Sequence, residues 1–180
     1  PLGRLPRRVC ASEMLSYLIV QNTVAIPAVA FPVATARAIG GLDEGLWYTA
    51  DWDFWLTLCG RGYTHWHPAR AAAFRLHAAS LTVSGSADLD DFAGQLDVPL
   101  RRHAAAVGAG ARDTVLTMAR ASNALNLWLA SAYHGERLPS MPVLAALASL
   151  GPKCWLPFLS RTRVVQRVWP RLRLRGKTDG

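Results

Sequence analysis

The sequence predicts an α/β chain in which helix predominates, and two observations carry that reading. Up to residue 82, short extended-looking runs such as Tyr63 to His67 are interleaved with helical patterns. From residue 83 to 152 the apolar residues recur at spacings of three and four, the mark of helix packed on helix. Beyond them, residues 153–180 mix aromatic and basic side chains between prolines. The expected organisation is therefore a mixed part (1–82), a helical extension (83–152) and a basic amphipathic tail (153–180).

Taken in order, Ser12 can cap a helix over residues 12–21, with Met14, Leu15, Leu18 and Ile19 on one face and Asn22 ending it. Val24, Ile26, Val29, Phe31 and Val33 suggest extended structure interrupted by Pro27. No charge occurs between Glu13 and Arg37, but Gln21, Asn22, Pro27 and Pro32 break that stretch, so it is not read as a membrane span. Thr35 to Ile39 forms a helical turn closed by Gly40 and Gly41. From Asp51 the pattern turns helical again, with Phe54, Trp55, Leu58 and Cys59 as its apolar stripe and Gly60 as its stop. Tyr63 to His67 alternates as a strand, and its two histidines read as half-exposed, because no third metal ligand lies near them in sequence. Ser86 is the expected cap of a helix through Asp88, Leu89, Phe92 and Leu96. A longer helix runs from Asp113 to Tyr133, closed by Gly135, and another spans Val143 to Leu150. In the tail, Pro157 and Pro170 bound a last helix.

Composition narrows the function classes. With 51% hydrophobic and 18% charged residues among 180, the chain is not of a disordered type and can bury a sizeable core. Its net charge of +8 is concentrated at one end. Residues 151–180 hold eight Lys/Arg and one Asp, while residues 1–150 hold twelve Arg and eleven acids. Such a tail suits an anionic partner, membrane lipid or nucleic acid. No helix-turn-helix, RNA-recognition or zinc-finger signature accompanies the charge, which leaves nucleic acid without a specific signal. Cys10, Cys59 and Cys154 are far apart and odd in number, so neither a zinc site nor a disulfide framework is indicated, and a reducing compartment fits.

Candidate chemistry gathers in residues 40–62, GGLDEGLWYTADWDFWLTLCGRG, and in Phe74-Arg75-Leu76-His77 with Ser80 and Thr82 behind it. Read alone, Asp51 is a carboxylate placed where helix N-termini favour one. Asp53, two residues on, cannot share its face and must have another task. Asp43 and Glu44 read as a solvated turn.

Together these motifs resemble glycosyltransferase family 2, inverting sugar transferases with a GT-A fold. In that family a Gly-Gly-Phe-Asp-Glu type turn precedes an acidic motif at a helix start, and a Tyr-Arg-x-His segment follows. The resemblance covers residues 12–82 and implies that they form the C-terminal, acceptor-side part of a Rossmann-like domain. It implies transfer of a sugar from a nucleotide-diphosphate donor to a hydroxyl of a glycan or lipid-linked acceptor. Asp51 would be the general base and Asp53 a supporting group. Arg75 and His77 would meet the diphosphate, and His77 its Mg²⁺ or Mn²⁺. Asp51-Trp52-Asp53 also spells the metal-binding Asp-x-Asp of sugar-nucleotide transferases. That reading is rejected, because Glu44 to Thr49 is not a buried strand and a helix follows directly. Neither the βαβ series nor a Gly-rich phosphate loop precedes residue 22, so the nucleotide-binding half is missing and this stretch is not expected to act alone. Two departures weaken an active copy: Ala50 stands where the family has Glu, and Thr57 where an Arg is common. The expected location is cytoplasmic, peripheral at the inner face of the cell membrane. The competing reading is a non-catalytic binding module whose basic tail meets membrane or nucleic acid.

Overall fold

The computed structural model describes residues 7–67, 72–73, 85–136 and 139–164. A first strand, β1 (Arg8–Val9), leads into α1 (Ala11–Leu18), α2 (Val33–Ala38) and α3 (Ala50–Cys59). After β2 (Thr64–His65) come α4 (Leu89–His103), α5 (Arg112–His134), α6 (Ser140–Ala148) and α7 (Gly151–Thr162). β1 and β2 pair antiparallel, with Arg8 opposite His65 and Val9 opposite Thr64.

That two-stranded ribbon is the whole sheet among the described residues. The expected α/β class, with a Rossmann-like GT-A portion, is therefore corrected: the described chain is helical and shows no parallel sheet core. The physical reason lies in Val24 to Val33, the run expected to be extended around Pro27. Pro27 and Pro32 cannot donate to a ladder. Ile26–Ala28 instead makes a 3₁₀ turn, and Pro32 sits at the N-cap of α2. Of the alternating run from Tyr63 to His67 only Thr64 and His65 pair in the ladder, and the Tyr63 ring lies outside under the Arg8 guanidinium, 3.6 Å away.

The helices pack in a chain of neighbours: α1 on α3, α3 on α4, α4 on α5, and α5 on both α6 and α7. One core runs through them, with Leu18, Trp52, Leu56, Phe92, Met118 and Phe158 all buried in it. Cys59 is buried there too, and desolvation pushes its thiol above the ordinary value. Local signals set most helix ends. Asp88 caps α4 by accepting from the Asp91 N–H at 3.0 Å, whereas Ser86, the expected cap, pairs with His134 Nε2 at 3.1 Å. Gly135 closes α5 in the left-handed region at φ 79°, where a Cβ would be strained. Pro157 falls inside α7 and does not begin it. The end expected at Pro170 lies outside the described residues.

A buried polar tie fastens α5 to the chain after α1. Gln21 Oε1 accepts from Ser122 Oγ at 2.7 Å and from Asn126 Nδ2 at 3.1 Å. Replacing Gln21 by Leu removes that acceptor while keeping much of the volume, and leaves the Ser122 hydroxyl buried without it. A loss of about 1–3 kcal/mol in urea unfolding is expected, and it should shrink in the Gln21→Leu/Ser122→Ala double variant. A double-variant loss equal to the sum of the Gln21→Leu and Ser122→Ala losses would show that the tie carries no coupling energy.

Candidate functional site

The first turn of α3 puts Asp51 and Asp53 in two different environments. Thr49 occupies the N-cap, with its hydroxyl turned away to donate to the Gln95 carbonyl at 3.0 Å. Asp51 is thus a first-turn residue and not the cap. Successive positions two apart lie on opposite sides of a helix, so Asp51 faces the chain leaving α1 while Asp53 faces α4.

Asp51 is half-buried, and its Oδ1 accepts from Asn22 Nδ2 at 3.2 Å. Asn22 is itself oriented by the Val24 N–H, which donates to its Oδ1 at 3.1 Å. Burial pushes the Asp51 carboxyl above the usual carboxylate range, outweighing the Trp52 backbone N–H and the Asn22 amide, which favour the charged form. No cation pairs with Asp51 among the described residues.

Asp53 is the reverse case. Its Oδ1 lies 2.9 Å from His103 Nε2 and its Oδ2 accepts from Arg102 Nη1 at 3.0 Å. The same Arg102 nitrogen reaches Asp43 Oδ2 at 2.8 Å. Burial alone would raise the Asp53 carboxyl, but the hydrogen bonds and charges of His103 and Arg102 prevail and hold it below the ordinary range. Arg102 and the Gly45 N–H likewise hold the Asp43 carboxyl low. The Gly-Gly-x-Asp-Glu turn is therefore joined to the helix start by one guanidinium, while Glu44 stays exposed.

This arrangement gives an acid-sensitive lock. A carboxyl depressed in the folded state contributes stability above its unfolded value of about 3.9 and loses it as the pH falls through the folded value. Asp53→Asn should cost about 1–2 kcal/mol at neutral pH. The gap in melting temperature to the unmutated chain should close on acidification. A gap that widened in acid would contradict this assignment.

Three of the grouped residues are not site candidates in the sequence: Asn22, read there only as a helix stop, and Arg102 and His103. The one signal that could have found the last two is a Arg-Arg-His run ending an amphipathic helix, where cations are favoured by the dipole. Arg75 and His77 lie outside the described residues, as do Ser80 and Thr82. The expected ligand of Mg²⁺ or Mn²⁺, His77, is thus among the residues outside the described ones. No group of three or more His, Cys, Asp or Glu that could hold a metal occurs among the described residues. The two carboxylates that do converge, Asp43 and Asp53, are already bound to Arg102. An open groove between α4 and α5, lined by Leu96, Leu100, Asn123 and Leu127, includes neither Asp51 nor Asp53. Compared with family models, curated proteins and solved structures, the chain has no match.

Proposed function

We propose that this chain carries the acceptor-side base of an inverting glycosyltransferase. The observation that supports it most is the contrast between the two acids of one helical turn: Asp53 is neutralised, whereas Asp51 is desolvated and has no cationic partner among the described residues. A carboxylate of raised proton affinity, oriented by an amide and paired with no cation among the described residues, is suited to take a proton. The order of motifs in the sequence, Gly40-Gly41-Leu42-Asp43-Glu44 before Asp51-Trp52-Asp53, supplies the family context.

In the proposed step the acceptor hydroxyl oxygen bonds to the anomeric carbon as the bond from that carbon to the diphosphate oxygen breaks. The hydroxyl proton passes to the Asp51 carboxylate, and the configuration inverts. Asn22 holds Oδ1 of the carboxylate and so orients the group that receives the proton. Asp53, Arg102 and Asp43 act as positioning residues that tie the turn to α3. None of the described residues assigns a role to a metal in this step.

The test is transfer from UDP-, GDP- and dTDP-sugars to glycan and lipid-linked acceptors, using the chain expressed together with all that its gene encodes around it. Transfer with inversion that is lost in Asp51→Asn supports the reading. Transfer undiminished in that variant removes Asp51 from the chemistry. No transfer from any donor, with acceptor glycans still bound, favours the non-catalytic binding module.

A further inference from the structure

Helices α6 and α7 show the solvent an unusual outer face. Their inner sides are fixed: Val143 is buried in a small cluster with Leu125 and Leu129 of α5, and Phe158 lies in the main core. Arg161 secures α7 further by donating from Nη1 to the Ser16 carbonyl at 3.1 Å. With those sides committed, Met141 and Leu144 of α6 and Trp155, Leu156 and Leu159 of α7 are left outside. Met141 is 69% exposed and Leu156 73%. Lys153 is the sole charged side chain from residue 139 to 160. Five large apolar side chains left exposed on two successive helices are the kind of surface that marks an interaction site.

Charge indicates the occupant. From residue 137 to 178 the sequence holds nine Lys/Arg and no Asp or Glu. A second copy of this chain would add a like-charged segment to this one. The face also carries few polar side chains of the directional sort that protein partners read. An anionic bilayer needs only apolar area flanked by positive charge, and Trp is favoured at the headgroup boundary. No single helix among the described residues is long and apolar enough to cross a membrane, and α6 and α7 are bent by 110° where they meet. Two short helices at such an angle suit shallow insertion.

We infer that the outer face of α6 and α7 is an in-plane docking surface for an anionic lipid bilayer. Trp155, Leu156 and Leu159 enter the acyl boundary, while Lys153 meets the headgroups. This inference is independent of the role given to Asp51.

The experiment is flotation of the full chain with vesicles of phosphatidylcholine, with and without phosphatidylglycerol, at physiological salt. The key variant is Leu156→Lys/Leu159→Lys, which adds positive charge while removing apolar area, with circular dichroism to check its fold. Binding to phosphatidylglycerol vesicles should fall about tenfold in that variant, because the lost apolar area outweighs the added charge. Equal or stronger binding would show that charge alone acts and would overturn the docking face. So would absence of binding by the unmutated chain, or a dimer in light scattering that this variant dissociates. An independent readout needs no change of charge: brominated acyl chains should quench the tryptophan fluorescence of the unmutated chain, and Trp155→Phe should lose part of that quenching. If Trp155→Phe keeps all of it, Trp155 does not enter the bilayer.

Discussion

Replacing Asp51 by Asn is expected to lower sugar transfer by about 10²–10⁴-fold, the range lost when a general base is removed. The substitution is nearly isosteric, and the new amide oxygen can still accept from Asn22, so the loss should be chemical and not structural. Its effect on stability should have the opposite sign. The Asp51 carboxyl is raised in the folded state by desolvation, so its bound proton stabilises the fold below the unfolded value of about 3.9. That contribution is lost as the pH rises through the folded value, and at neutral pH the ionised group is a liability. Asp51→Asn should therefore melt higher than the unmutated chain at pH 7, with the difference closing towards acid. The transfer rate of the unmutated chain should fall on acidification through a value above the ordinary carboxylate range. A variant that melts lower at pH 7 would mean that Asp51 serves the helix start and not the reaction.

Trp52→Ala should produce the largest loss of stability, about 3–5 kcal/mol. Trp52 is 2% exposed, lies between the two acids in sequence, and donates from Nε1 to the Leu18 carbonyl at 2.8 Å. Its ring fills the core where α1 meets α3, and its N–H ties α3 to the last turn of α1. Domains of this size are stable by about 5–15 kcal/mol, so the Ala variant should populate unfolded chain at 37 °C. Trp52→Phe separates the two contributions, because it keeps most of the ring contact and removes the N–H. About 1 kcal/mol should be lost in that variant. Guanidinium unfolding measures both, and a loss below about 1 kcal/mol for Trp52→Ala would show that α3 is anchored elsewhere.

Much of the local structure was legible in the sequence. The apolar stripe from Phe54 to Cys59 and the stop at Gly60 marked α3, which spans Ala50–Cys59. The longer helical pattern from Asp113 to Tyr133 with Gly135 after it marked α5, which spans Arg112–His134. These are signals of period and cap, and both are written within a few residues of the structure they specify. The class was not legible. Alternating apolar residues between Val24 and Val33 looked like a strand, but a strand exists only where a neighbour pairs with it, and the prolines denied the donors. Nor were Ser86 and Asp88 distinguishable as caps until their partners were in place.

The sequence by itself determined that Asp51 and Asp53 enter one helix together and leave it on different sides, because two residues at 3.6 per turn allow nothing else. Tertiary structure decided what each of them is. Asn22 reaches Asp51 across 29 positions, and Arg102 and His103 reach Asp53 across 49 and 50. Proton affinity is set by burial and by the charges within a few ångströms, and neither quantity is a property of local spacing. Packing α4 against α3 neutralised one acid, and packing α1 beside α3 desolvated the other.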